Sequence, residues 1–141
     1  MEITVRERLE SLKAGALASL AFISLVVLSQ GLSHFLGLAS YPLSFLSLGS
    51  SLLSGFLFGV TYRYIIRRDQ NSHLRDGAVL AFALVRAGGY GDGLTDWLQQ
   101  GPLLALFVLE SIIGFAVARS GLDLALARQW LRPFSSIDPE L

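Results

Sequence analysis

The chain has 141 residues, 52% of them hydrophobic and only 16% charged, with a mean hydropathy of +0.56 and a formal net charge of zero. That apolar excess is too large for a small soluble domain, which needs polar surface over its core, and the balanced charge gives no case for nucleic acid or acidic partners. With no cysteine, disulfides, thiolate metal sites, haem attachment through cysteine and cysteine nucleophiles are excluded.

Residues 1–13 read as an amphipathic lead-in. Val5, Leu9 and Leu12 share one helical face, and Glu2, Arg6, Glu10 and Lys13 another. Such a helix suits a membrane surface or solvent equally. No Asp, Glu, Lys or Arg occurs between Lys13 and Arg63. At about 20 residues per helical crossing, that gap accommodates two. The first crossing is placed at 14–35. Its apolar run is longer than a signal-peptide core and follows a mixed-charge stretch, so it reads as retained despite the faint cleavage pattern Gly37-Leu38-Ala39. The break GLASYPLS contains Pro42, and the second crossing is placed at 44–66. The basic linker RRDQNSHLRD leads to a third at 77–97, which weakens at AGGYGDG. Gly77 to Gly89 alone spans about 20 Å, against a bilayer core of about 30 Å. That helix either extends toward Trp97, thins the bilayer, or breaks at its glycines. The fourth crossing is placed at 102–118, with Pro102 in its first turn. Residues 121–141 read as an interfacial helix anchored by Trp130 and Phe134, followed by a frayed SSIDPEL. The fold class is therefore all-α: an integral membrane four-helix bundle, residues 14–120, between an amphipathic N-terminal helix and an interfacial C-terminal one.

Basic residues set the orientation. Arg6, Arg8 and Lys13, then Arg63, Arg67, Arg68 and Arg75, then Arg119, Arg128 and Arg132 all fall at one end, and the two opposite loops carry none. The positive-inside rule places both termini in the cytoplasm, or the stroma of a thylakoid. Tyr62, Tyr64, Tyr90 and Trp97 fall near the expected interfaces, as aromatic belts do. An internal repeat fits the same count. LKAGALASLAF, from Leu12, resembles LRDGAVLAFAL, from Leu74, and SLLSGFLFG resembles ESIIGFAVA. Two repeated hairpins of one topology would form a parallel repeat.

Within the second crossing, Ser47, Ser51, Gly55 and Gly59 recur every four residues. Burial alone does not drive helices together in lipid, whereas small residues at this spacing permit close backbone approach. The stripe serves the chain's own bundle, a protein partner in the membrane, or a second copy in a homo-oligomer. Glu110 lies midway through the fourth crossing, with Gly114 and Ala118 on the same face. A carboxylate at that depth costs about 2.5–3.5 kcal/mol on insertion scales unless satisfied. Arg86, at a similar depth, is its natural ion-pair partner; in the alternative, Arg86 snorkels outward while Glu110 bonds Ser51 or a carbonyl. Ser51 occupies the place of Glu110 in the repeat, so Glu110, Arg86 and Ser51 form the candidate intramembrane polar site.

Other features carry less. His34 and His73 fall on opposite sides and cannot share a metal. His34 alone is an axial-ligand candidate, outweighed by an interfacial role. GGYGDG lacks the preceding strand and the Lys and Ser/Thr of a phosphate loop. Asp92 and Asp96 are too few for a Ca²⁺ site, and the basic cluster at YRYIIRRD is accounted for by topology, though anionic lipid heads would suit it. No metal site or cofactor is therefore expected.

The block SGFLFGVTYRYIIRRDQNSHLRDGAVLAFALVR resembles a family of small uncharacterised multi-spanning membrane proteins of cyanobacteria and chloroplasts. The resemblance implies a thylakoid or plasma (inner) membrane location and a place beside photosynthetic complexes; it implies no activity and no site residues. The expectation is a non-enzymatic scaffold, small subunit or assembly factor of a larger membrane complex. The alternative is a small transporter or channel built on Glu110 and Arg86.

Overall fold

The computed structural model describes residues 5–38, 42–66 and 71–134, and for Trp97 the backbone alone. Away from water the backbone must satisfy its own hydrogen bonds, so long apolar runs become helices. Four form: α1 (Val5–Phe35), α2 (Phe45–Ile65), α3 (Ser72–Gly91) and α4 (Trp97–Ala127). They make an all-α four-helix bundle, with no strand among the described residues. Helices α1, α2 and α4 are each long and apolar enough to cross a membrane. Helix α3 falls short of that measure, because its 20 residues include Arg75, Asp76, Arg86 and four glycines.

Local chemistry explains the boundaries. After α1, Gly37 adopts φ 64 and the Leu38 amide donates to the Ser33 carbonyl at 2.9 Å, the left-handed helix stop that glycine favours. Ser44 caps α2: its Oγ accepts from the Ser47 amide at 3.1 Å, and the Ser44 amide donates to Ser47 Oγ at 3.0 Å. Asn71 caps α3 and Asp96 caps α4, each through its side-chain oxygen. The Asp96 cap starts α4 at Trp97, so Pro102 lies inside the helix rather than in its first turn, and α3 ends at Gly91 instead of reaching Trp97.

Two expected segments merge into longer helices. The amphipathic lead-in forms the opening turns of α1 from Val5; the residues before it, Glu2 included, lie outside the described ones. The stretch expected as an interfacial helix continues α4 to Ala127. The chain then reverses at Gln129, with φ 60, and residues up to Phe134 fold back on the bundle with Leu131 buried. Ala39, Arg67, Arg68 and the terminal SSIDPEL lie outside the described residues. At 31 residues each, α1 and α4 are about 46 Å long and overrun a hydrocarbon core of about 30 Å. Their charged turns, with Glu7, Glu10 and Lys13 on α1 and Arg119 and Asp123 on α4, gather at one end with the start of α3, here called the terminal end.

Packing follows residue size. Helix α1 meets α2 most closely, through the small stripe. A Cβ on Gly55 would lie 2.7 Å from Ser19 Cα, and one on Gly59 2.7 Å from Ala18 Cβ, so only glycine allows this approach. Gly114 gives the same clearance to the Phe22 ring. At the centre each helix contributes one phenylalanine. Phe22 and Phe115 lie 4.4 Å apart between ring centroids, Phe58 and Phe115 5.0 Å, Phe58 and Phe82 5.3 Å, and Phe82 and Phe115 5.7 Å. Phe22, Phe58 and Phe115 are fully buried. This layer fills the bundle from side to side and separates its polar groups into two sets.

Candidate functional site

The first set lies between the aromatic layer and the loop end, where α1 turns to α2 and α3 to α4. Arg86, on α3, donates from Nη2 to Ser51 Oγ at 2.7 Å. Its guanidinium carbon sits 4.4 Å from the Phe107 ring centroid and 5.1 Å from that of Phe22, a cation held over two aromatic faces. Ser51 is fully buried and donates its own hydroxyl to the Ser47 carbonyl at 2.7 Å. Tyr90, one turn beyond Arg86, stacks on Phe107 at 4.5 Å. Glu110, one turn beyond Phe107 on α4, is buried and accepts from Ser29 Oγ at 2.6 Å and Gln30 Nε2 at 3.3 Å, both on α1. These bonds satisfy a carboxylate that would otherwise carry an intramembrane desolvation cost. Arg86 and Glu110 thus occupy neighbouring positions around Phe107, with Ser51 on the arginine and Ser29 and Gln30 on the glutamate.

Two clefts open from this layer. One, of about 620 Å³, lies between α2 and α3 and is lined by Ser47, Ser50, Ser54, Arg86 and Tyr90 among others. A smaller one, of about 170 Å³, lies between α1 and α4 and is lined by Ser29, Ser33 and Glu110 with leucine and isoleucine walls. The predicted packing residues divide between these features. Gly55, Gly59, Gly114 and Ala118 are buried in helix contacts, and Ser51 supports Arg86. Ser47 is half-buried, closes the α2 cap and borders the larger cleft. His34 is exposed in the last turn of α1, and His73 is exposed at the start of α3. No group of His, Cys, Asp or Glu among the described residues is arranged to hold a metal.

The second set lies at the terminal end, and its centre is Arg63, which enters the sequence analysis only as a basic residue, in the orientation pattern and the stretch YRYIIRRD. Arg63 is 2% exposed. Its Nη2 pairs with Glu7 Oε2 at 2.6 Å, and its Nη1 donates to Ser11 Oγ at 2.7 Å and to the Glu7 carbonyl at 3.0 Å. Its Nε donates to the Arg132 carbonyl at 2.9 Å, and the guanidinium lies 5.7 Å from the Phe134 ring. Phe134 in turn packs on Tyr64 at 4.7 Å. The Arg132 amide donates to Glu10 Oε2 at 3.2 Å, while Glu10 also pairs with Lys13 at 2.9 Å. One guanidinium therefore joins the start of α1, the end of α2 and the folded-back segment after α4. A readable signal existed: Arg63 stands four residues beyond Gly59, on the same stripe as Ser51 and Gly55. Beside it, Tyr62 donates to Asp123 Oδ1 at 2.9 Å, Arg75 and Arg119 approach Asp123 at 3.6 and 3.7 Å, and Arg119 pairs with Asp76. This network staples α2, α3 and α4.

Comparison of the chain with protein-family models, with curated proteins and with solved structures gives no match.

Proposed function

We propose that the chain is a non-enzymatic integral membrane scaffold, a small subunit or assembly factor of a larger membrane complex. The observation that carries this reading is the state of α3. Among the described helices it alone is too polar, with Arg75, Asp76 and Arg86 in its 20 residues, to meet the measure of a membrane-crossing helix, and its outward face opens at two glycines. Gly77 and Gly88 have nothing within 4 Å of where a side chain would stand, and Ala81, Leu84 and Val85 are exposed between them. A helix poorly suited to lipid, with a face that lets another backbone approach, is matched by a protein neighbour. The aromatic layer favours the same reading, since Phe22, Phe58, Phe82 and Phe115 close the bundle where a wet pathway would run. The positive-inside rule supports a cytoplasmic or stromal position for the basic terminal end, and the cyanobacterial or chloroplast resemblance directs the search to thylakoid and plasma membranes. An Arg86–Glu110 ion pair belongs to this proposal as a structural contact around Phe107.

The test is purification of the tagged chain in mild detergent, reading mass, co-purifying proteins and visible absorption together. A large assembly with specific partners is expected, and bulky substitutions at Gly77 and Gly88 should release them. A colourless homo-oligomer without partners overturns the reading. One observation favours a second reading as a small transporter or channel: Arg86 and Glu110 each line a cleft. Under that reading Glu110→Gln leaves abundance intact and abolishes flux in liposomes; under the scaffold reading there is no flux to lose.

A further inference from the structure

We propose that the terminal end binds the headgroup phosphate of an anionic phospholipid, on guanidinium groups presented by the opening turns of α1 and by the folded-back segment after α4. Charge pairing at this end leaves a cationic remainder. Every described carboxylate there is engaged: Glu7 with Arg63, Glu10 with Lys13, Asp76 with Arg119, and Asp123 with Arg75 and Arg119. Arg6, Arg8, Arg128 and Arg132 are exposed and pair with no described carboxylate. The clasp on Arg63 gathers most of them. Arg132 is held by its backbone, with its carbonyl on Arg63 and its amide on Glu10 Oε2, while its side chain stays exposed. Lys13 takes the other oxygen of the same carboxylate, and Arg6 stands one turn before Glu10 on α1. Three cationic side chains thus stand about one carboxylate whose charge Lys13 already balances. Arg128 adds a fourth, its guanidinium 5.5 Å from the Trp130 ring centroid.

Depth and neighbours favour a lipid phosphate over other anions. Lys13 and Arg63 bound the charge-free run, so they mark the edge of the hydrocarbon core. Arg132, joined to both Arg63 and Glu10, lies at that edge. Apolar side chains share the surface: Val5 is 82% exposed and Trp130 64%, and Leu9 and Leu12 are exposed on α1. The headgroup layer accommodates this mixture, since rings and aliphatic groups enter the boundary while cations meet phosphates. An acidic protein or a nucleic acid would match the charge and leave the apolar groups in water. Basic clusters beside a crossing helix collect anionic headgroups, and guanidinium groups suit phosphate oxygens. The inference stands whether or not the chain belongs to a larger assembly.

Native mass spectrometry of the purified chain in mild detergent, titrated with phosphatidylglycerol or phosphatidylcholine, tests it. Phosphatidylglycerol is expected to bind about 100-fold more tightly, as Arg6, Arg128 and Arg132 supply at about fivefold each. The double variant Arg128→Gln/Arg132→Gln leaves the backbone bonds to Arg63 and Glu10 in place. It should lower the preference to about fivefold, with an unchanged unfolding temperature in phosphatidylcholine. Arg128→Lys/Arg132→Lys, which keeps the charges, should retain most of the preference. Raising ammonium acetate to about 0.5 M should weaken the preference of the native chain severalfold, and this measurement decides the matter if the glutamine variant fails to accumulate. Equal binding of both lipids by the native chain overturns the proposal. So does a preference that survives both the glutamine substitutions and the added salt, or one lost as deeply with lysine as with glutamine. Glycerol 3-phosphate displacing the lipid completely at millimolar concentration would show a free-anion site instead, and an acidic polypeptide co-purifying there in place of lipid would also overturn it.

Discussion

Replacing Arg63 by methionine keeps the length of the side chain and removes its charge and all its donors. The folded-back segment then loses the bond from Nε to the Arg132 carbonyl and the cation over Phe134. A hydrogen bond from a charged donor contributes about 1.5–3 kcal/mol, and a cation over an aromatic ring about 0.5–1 kcal/mol. Phe134 is only half-buried, so the combined loss for this segment is about 2–3 kcal/mol. Local opening is raised by about 30- to 150-fold. The readout is hydrogen exchange in detergent, resolved to the peptide covering residues 128–134. The Arg132 amide, which donates to Glu10, should exchange faster by that factor, while the amides at the centre of α2 change far less. Glu7→Gln serves as the comparison. It weakens the α1 contact of Arg63 and leaves the Arg132 bond in place, so it should lower the unfolding temperature without releasing residues 128–134. Unchanged exchange at Arg132 in Arg63→Met would refute the reasoning, since the segment would then be held by Leu131 and Glu10 alone.

Gly55→Ala should cost about 1–3 kcal/mol in detergent unfolding, because its new methyl meets backbone, whereas Gly77→Ala should not lower stability; equal effects would contradict the packing described. Phe58→Ala should cost about 3–5 kcal/mol, and vesicles carrying it should stay ion-tight if the chain is no conduit; a sustained current in these vesicles would count against the scaffold reading. Exchanging Arg86 and Glu110 should accumulate better than Arg86→Gln or Glu110→Gln if the two charges act together around Phe107, and no better if each serves only its own serine. Tyr62→Phe should lower stability by about 0.5–1.5 kcal/mol through loss of the bond to Asp123, measured by thermal unfolding; an unchanged transition would show that Arg75 and Arg119 already satisfy that carboxylate.

Much of the helix plan was legible because its causes are local. The charge-free run between Lys13 and Arg63 and the break at Pro42 are read directly along the chain, whereas Gly37, which ends α1 with a positive φ, enters the sequence reading only in a faint cleavage pattern. The bounds of α3 and α4 were less legible. Their limits depend on which of several polar residues takes the cap, and Asp96 does so ahead of Pro102. The loop-end site was partly visible, since Glu110, Arg86 and Ser51 stand out against apolar neighbours. Ser29 and Gln30 did not, because nothing in α1 marks which of its polar residues faces α4. Arg63 is legible as a topology signal but not as a clasp. Its role requires the start of α1, the end of α2 and the last described turn to converge, and no local pattern states that convergence. The four phenylalanines were hidden for the same reason, as each is ordinary in its own helix.

The clasp on Arg63 also constrains when the protein can be finished. Its partners Glu7 and Arg132 stand 125 residues apart, so it cannot close during translation until Arg132 has left the ribosome. Until then the α1–α2 hairpin must be held by the fit of Gly55 and Gly59 to α1, with a buried cation still lacking one of its acceptors. A chain stopped short of Arg132 would therefore show its defect far from the cut, in the opening turns of α1.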